Sequence, residues 1–145
     1  MSPKRRAPMK PESTRRYDSP NIPLAAIRRY ARQVAERFRP EQIILFGSYA
    51  YGQPHADSDV DLLVVMPARN QLDQAFKIRL AFPAPFPMDL IVRTPKNMRW
   101  RLEEGESFLR EIVSKGKVLY EKNHGGVGAE GRGRSRDGTT MRPKR

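Results

Sequence analysis

Apolar and polar positions along the chain fall into two periods, and the alternation between those periods outlines the fold. Leu24, Ile27, Ala31, Val34 and Phe38 recur at steps of three and four, which predicts an amphipathic helix over 23–38. Asn21 or Pro23 stands near its start, Pro40 lies beyond its end, and its outer face is arginine. Residues 42–46 form a short β-rich run that ends at Gly47, and 60–66 are almost entirely Val, Leu and Met, the pattern of a strand buried on both faces. Leu72, Ala75, Phe76 and Leu80 return to helical spacing over 71–82, and Pro83, Pro85 and Pro87 stop that helix. Residues 88–93 read as a third strand. Thr94 and Pro95 are a cap and first-turn pair, after which Met98, Leu102, Phe108, Leu109, Ile112 and Val113 continue one helical stripe, bent at Gly105 and closed by Gly116. Val118 and Tyr120 alternate in a short last strand over 117–121. The predicted fold class is α/β, a small mixed β-sheet flanked by helices. There is no internal repeat. One long connection, 47–59, is left without an assigned element and invites a functional explanation.

Charge divides the chain differently. Its 145 residues hold 28 Lys and Arg against 16 Asp and Glu, a net charge of +12. Residues 1–16 contribute +5 and residues 123–145 contribute +4, so the segment 17–122 is nearly balanced, with 16 basic and 13 acidic side chains. Both ends are poor in large apolar groups and read as disordered basic tails, the second rich in Gly and Arg. The expected folding unit is therefore 17–122. No apolar run is long enough to span a bilayer, no secretory leader is visible, and there is no cysteine for a disulfide or thiolate site. A cytoplasmic location is the simplest expectation, and the basic tails are expected to offer at most weak, nonspecific contact with RNA.

Three carboxylates interrupt or directly precede apolar strands, where an unpaired charge is costly to bury: Asp59, Asp61 and Asp89. Strand alternation puts Asp59 and Asp61 on one face. With the third strand alongside in a suitable register, Asp89 joins them, and three like charges so placed need cations or protons among them. Hard oxygen donors without His or Cys favour Mg2+ over zinc, and two such ions bridged by carboxylates suit displacement at phosphorus. Upstream, Gly47 and Ser48 end the first strand, where a small residue, a hydroxyl and free amides can hold phosphate oxygens. No Gly-Lys-Ser/Thr run is present, so the phosphate site is not of the P-loop type.

Gly47-Ser48, a ten-residue spacer containing Gly52 and Ser58, then Asp59-Val60-Asp61 and later Met88-Asp89-Leu90, resembles the nucleotidyltransferases of the DNA polymerase beta superfamily, most nearly its minimal group. The resemblance extends over 24–121. It implies that Gly47 and Ser48 hold the triphosphate, that Asp59 and Asp61 ligate two magnesium ions, and that Asp89 binds the ion nearest the attacking hydroxyl. The implied reaction is attack of an acceptor oxygen on the α-phosphorus of a nucleoside triphosphate, with ATP the expected substrate. Minimal members often act with a separate helical HEPN-type protein, some as antitoxins that transfer AMP to a partner tyrosine. A partner protein hydroxyl is accordingly the expected acceptor. Many of these proteins carry an arginine just after the Gly-Ser pair. This chain has Tyr49 and Tyr51 there, and Arg93, on the Asp89 face by alternation, is the expected substitute.

Other readings of the same residues are plainer. Asp57, Asp59 and Asp61 alternate as in a calcium loop, but Leu62 and Ala68 stand where that loop needs Gly and Glu. His55 and His124 read as surface residues, and Met98, Trp100 and Phe108 as packing for the last helix. Arg28, Arg29, Arg32 and Arg37 read as a solvated helix face, with contact to an acidic partner or nucleic acid as the alternative. The rival to an enzyme is a non-catalytic module that binds nucleotide, partner or RNA.

Overall fold

The computed structural model describes residues 16–122. Four strands, β1 (Gln42–Phe46), β2 (Val60–Val65), β3 (Met88–Arg93) and β4 (Lys117–Glu121), form one sheet in the order β3-β2-β1-β4. β1 pairs antiparallel with both β2 and β4, while β2 and β3 are parallel, so the sheet is mixed as the pattern predicts. Five helices flank it: α1 (Leu24–Phe38), α2 (Ser48–Tyr51), α3 (Gln71–Ala81), α4 (Pro95–Glu103) and α5 (Ser107–Lys115). Of the expected tails, 1–16 and 123–145, all but Arg16 lie outside the described residues, and His124 with them. Among those residues no helix is long and apolar enough to cross a membrane.

Each face of the sheet has its own core. Ile43, Leu45, Val60, Leu62, Val64, Leu90 and Val92 pack with Ile27, Tyr30, Ala31 and Val34 of α1 and with Ala75 and Ile78 of α3. Ile44, Phe46, Leu63 and Val65 pack with Met98 of α4 and with Leu109 and Ile112 of α5. β2 contributes to both, which is why its sequence is nearly continuous in apolar residues.

Three expectations need correction. The stripe that predicted α3 faces outward: Leu72, Phe76 and Leu80 are 83%, 61% and 65% exposed, while Ala75 and Ile78 meet the core. The rotation of α3 is set at its start, where the Asn70 side chain accepts from the Asp73 amide and the Gln71 side chain accepts from the Thr94 amide at 2.9 Å. Small Ala75 lets the helix lie close to β3. The predicted single bent helix is two, because Gly105 adopts φ +83 and Glu106 begins a new helix by accepting from the Leu109 amide. An Arg101–Glu106 ion pair of 2.9 Å spans the break. Trp100 and Phe108 are not core residues either, at 55% and 47% exposure, although Phe108 sets its edge against Phe46 at 5.7 Å.

Gly116 does end α5, its amide donating to the Ile112 carbonyl at 2.8 Å, but its backbone is extended and not left-handed. Glycine is needed there for space. A methyl group at this position would lie 2.5 Å from the Ile112 carbonyl oxygen and 2.7 Å from Ile44 Cγ2, because the chain passes directly over β1.

Candidate active site

The long connection after β1 is organised at both ends. Gly47 takes φ +77, a conformation that strongly favours glycine, and its carbonyl accepts from the Ala50 and Tyr51 amides to start the short helix α2. The loop prediction for 47–59 therefore misses one helical turn, which four residues cannot announce by periodicity. The Ser48 and Tyr49 amides, first in that turn, have no intrahelical acceptor. The return limb is pinned by buried Ser58, whose hydroxyl accepts from the His55 amide at 2.8 Å. Ser19 donates to the Ser58 carbonyl and is hydrogen-bonded to the Tyr49 hydroxyl at 2.8 Å. His55 is exposed as expected, with its Nδ1 accepting from the Asp57 amide at 3.2 Å.

Register decides where the carboxylates go. Asp61 pairs with Phe46 across the antiparallel β1–β2 ladder and with Asp89 across the parallel β2–β3 ladder. Adjacent strands are about 4.8 Å apart, so the Gly47 backbone, Asp61 and Asp89 form a row across three neighbouring strands. Asp59 precedes β2 on the same face by alternation. This is the α4–α5 face, since Asp61 has the parity of Leu63 and Val65. Asp61 is partly buried, whereas Asp59 and Asp89 are exposed. Burial first, then the charges of Asp89 and Asp59, push the Asp61 carboxyl up to about 6. Those last two influences place all three carboxylates within one electrostatic neighbourhood.

Gly47 and Asp61 meet directly. A methyl group on residue 47 would come 2.2 Å from Asp61 Oδ2, so glycine is the residue that lets this carboxylate lie against the loop. A cleft of about 230 Å³ opens beside them, walled by Phe46, Tyr51, Phe108, Glu111 and Ile112. The larger clefts of the molecule lie elsewhere. Tyr51, Phe108 and Glu111 are therefore site-lining residues that a linear reading does not find. Tyr51 stood out only as a departure, and the other two approach through packing of α5. Tyr49 is turned away to its Ser19 contact and packs against the α1 side of the sheet.

Arg93 is not the substitute guanidinium. It shares the Asp89 face but lies four residues on, about 13 Å along the strand, and donates to the carbonyl of its neighbour Val92 at 2.9 Å. Among the described residues, no group of three or more His, Cys, Asp and Glu side chains is arranged to hold a metal ion. The donor set still fits a hard divalent cation in kind: three carboxylates, no nitrogen or sulfur, and a glycine that keeps the space beside Asp61 open.

The sequence profile of the nucleotidyltransferase domain matches residues 27–120. A protein of Methanocaldococcus jannaschii, described as a candidate protein adenylyltransferase, is 30% identical over 103 residues, which cover 66% of this chain and 95% of that protein. Among solved structures, a candidate nucleotidyltransferase of Sulfolobus solfataricus overlays with a TM-score of 0.46 at 16% identity, covering 68% of this chain and 80% of the other. A chain of a toxin–antitoxin crystal structure with AMP-PNP overlays at 0.42 and 24% identity, covering 66% and 73%. Overlays this distant say nothing about substrate. The Gly-Ser turn, the in-register aspartates and the matched profile span the same stretch of the fold, and the chain belongs to the nucleotidyltransferase family.

Proposed function

We propose that this protein is a Mg2+-dependent nucleotidyltransferase that moves AMP from ATP onto a hydroxyl of a partner protein. The observation that carries the reading is the pairing of Asp61 with Asp89 in one register beside Gly47. The adenylyl group and the protein acceptor are supported by the relative described as a candidate protein adenylyltransferase, almost all of which this chain spans. The described residues form one sheet and its helices, with no further lobe to hold an acceptor. An acceptor hydroxyl on a partner protein fits a helical HEPN-type partner and an antitoxin role.

In this mechanism the Ser48 hydroxyl and the Ser48 and Tyr49 amides donate to the β- and γ-phosphate oxygens, and Gly47 admits them without a side chain in the way. Asp59 and Asp61 would hold both cations, and Asp89 the one nearest the acceptor. Divalent ions held by these carboxylates would supply neutralisation of the charge that builds on the phosphates. The acceptor oxygen attacks the α-phosphorus, the bond from that phosphorus to the bridging oxygen breaks, and pyrophosphate departs. Asp89, exposed at the outer strand, would take up the acceptor's proton. Positioning and charge neutralisation supply most of the rate.

Incubation with [α-32P]ATP, Mg2+ and candidate partner proteins tests the reading. Label is expected on a partner hydroxyl, and Asp59→Ala with Asp61→Ala is expected to reduce it by a factor on the order of 10³. Equal labelling by the wild type and the double variant would remove the catalytic assignment. Partner neutralisation that survives the double substitution would move the function from transfer to binding.

A further inference from the structure

A second cleft lies on the other side of the sheet from the aspartates. It has a volume of about 470 Å³ between α1 and β4, and Arg28, Arg32, Glu36, Arg39, Leu119 and Tyr120 line it. Three guanidiniums face one carboxylate. Among the described residues none of the three arginines has an ion-pair partner, so their charge is not spent inside the fold. Arg28 and Arg32 are one helical turn apart on the exposed side of α1.

Two backbone features bring further groups to this cleft. Arg39 ends α1 at φ 50, a left-handed position that glycine normally takes, and it is the sole non-glycine residue with positive φ among those described. A residue with a side chain is disfavoured in that conformation, and here it brings the Arg39 guanidinium to the cleft. The β1–β4 ladder also slips between Ile43 and Ile44, with Ile43 opposite Tyr120 and Ile44 opposite Val118. The slip breaks strict alternation, so that Leu119 and Tyr120 both pack towards α1 while Val118 is left exposed. A half-buried aromatic residue is thus set among unpaired guanidiniums.

We propose that this groove binds single-stranded nucleic acid, with phosphates on Arg28, Arg32 and Arg39 and a base against Tyr120. Guanidinium forks match phosphate oxygens, and aromatic rings give a sequence-tolerant platform for bases. An extended polyanion suits the site better than a compact anion for a second reason. β4 ends one residue beyond Tyr120, and residues 123–145 of the sequence carry six Lys and Arg against two acids. The inference does not rest on the transferase reading, because groove and aspartates lie on opposite faces.

Fluorescence anisotropy with a labelled 20-mer oligo(U) and the full chain, across a salt series, tests it. Arg28→Gln with Arg32→Gln is expected to weaken binding about tenfold and to lower the slope of log K against log salt by about 1.4, from roughly 0.7 per lost phosphate contact. Tyr120→Leu, which keeps an apolar group against α1, is expected to weaken binding at least about fivefold with the slope unchanged. Thermal melts of each variant separate lost binding from lost folding. An unchanged affinity and slope in the double arginine variant would overturn the proposal. So would loss confined to replacement of Arg132, Arg134 and Arg136, or binding of polyglutamate with none of oligo(U).

Discussion

The two faces of the sheet are built from the same strands, β1, β2 and β3, and yet differ in what they bury. Towards α1 and α3, every inward position of β1, β2 and β3 is apolar, from Ile43 and Leu45 through Leu62 and Val64 to Leu90 and Val92. Towards α4 and α5, β2 and β3 open on carboxylates at Asp61 and Asp89, and apolar contact follows at Leu63, Val65 and Ile91. A single strand carries both duties because its side chains alternate, so stability and chemistry are divided by parity and not by distance along the chain. The lesson is that the site is an interruption of a core. Like charges sit where apolar contact would otherwise continue, and Asp61 is held at the cost of an unfavourable environment for its ionised form.

The sharpest way to break that division is at Gly47. Gly47→Ala adds a methyl group 2.2 Å from Asp61 Oδ2 at a φ of +77, and labelled nucleotide transfer is expected to fall on the order of 10²-fold as the loop and carboxylate separate. Retention of full transfer would mean that the close approach of loop and strand is not part of the site. Leu62→Ala, one residue from Asp61 but on the other face and fully buried, is expected to cost about 3 kcal/mol in urea unfolding while leaving transfer per folded molecule unchanged. A selective loss of activity in that variant would show that the faces are coupled.

The smallest effect sharpens the electrostatic half of the comparison. The Asp61 carboxyl titrates near 6 in the fold against 3.8 unfolded, so the folded state prefers it protonated. The corresponding stability is fully present below pH 3.8 and is lost as pH rises through 6. Asp61→Asn removes that loss. In EDTA at pH 8 the variant is expected to be more stable than wild type by about 1 kcal/mol, a figure reduced for solvent screening of a partly exposed group, and the gain should vanish at pH 4. Equal stability at both pH values would mean that Asp61 feels neither burial nor its neighbours.

Much of this architecture is legible in the chain. α1 is announced by Leu24, Ile27, Ala31, Val34 and Phe38 because one face of that helix meets the core and the other meets water. β2 is announced by its unbroken apolar run because both of its faces are covered. α3 misleads for the opposite reason: Leu72, Phe76 and Leu80 form a convincing stripe, but the Asn70 cap and the tie from Gln71 to the Thr94 amide turn Ala75 and Ile78 inward instead. Period alone cannot say which of two apolar stripes is buried. Trp100 and Phe108 fail similarly, since size and apolarity do not reveal that α4 and α5 are separate helices turned about Gly105.

For the site, sequence by itself determined the inventory: a glycine and serine after a strand, two aspartates at alternating positions, and a third on the next strand. Those are local facts of residue type and spacing. Whether Asp89 falls beside Asp61 or a residue away is a matter of strand register, which depends on how β2 and β3 pack their other face. That the Gly47 backbone touches Asp61, that Tyr49 turns inward while Tyr51 lines the cleft, and that Arg93 lies too far along β3 to serve are likewise decided by contacts between distant segments. Residue type sets which chemistry a chain can carry, and only tertiary packing sets which of those groups share a few ångströms of space.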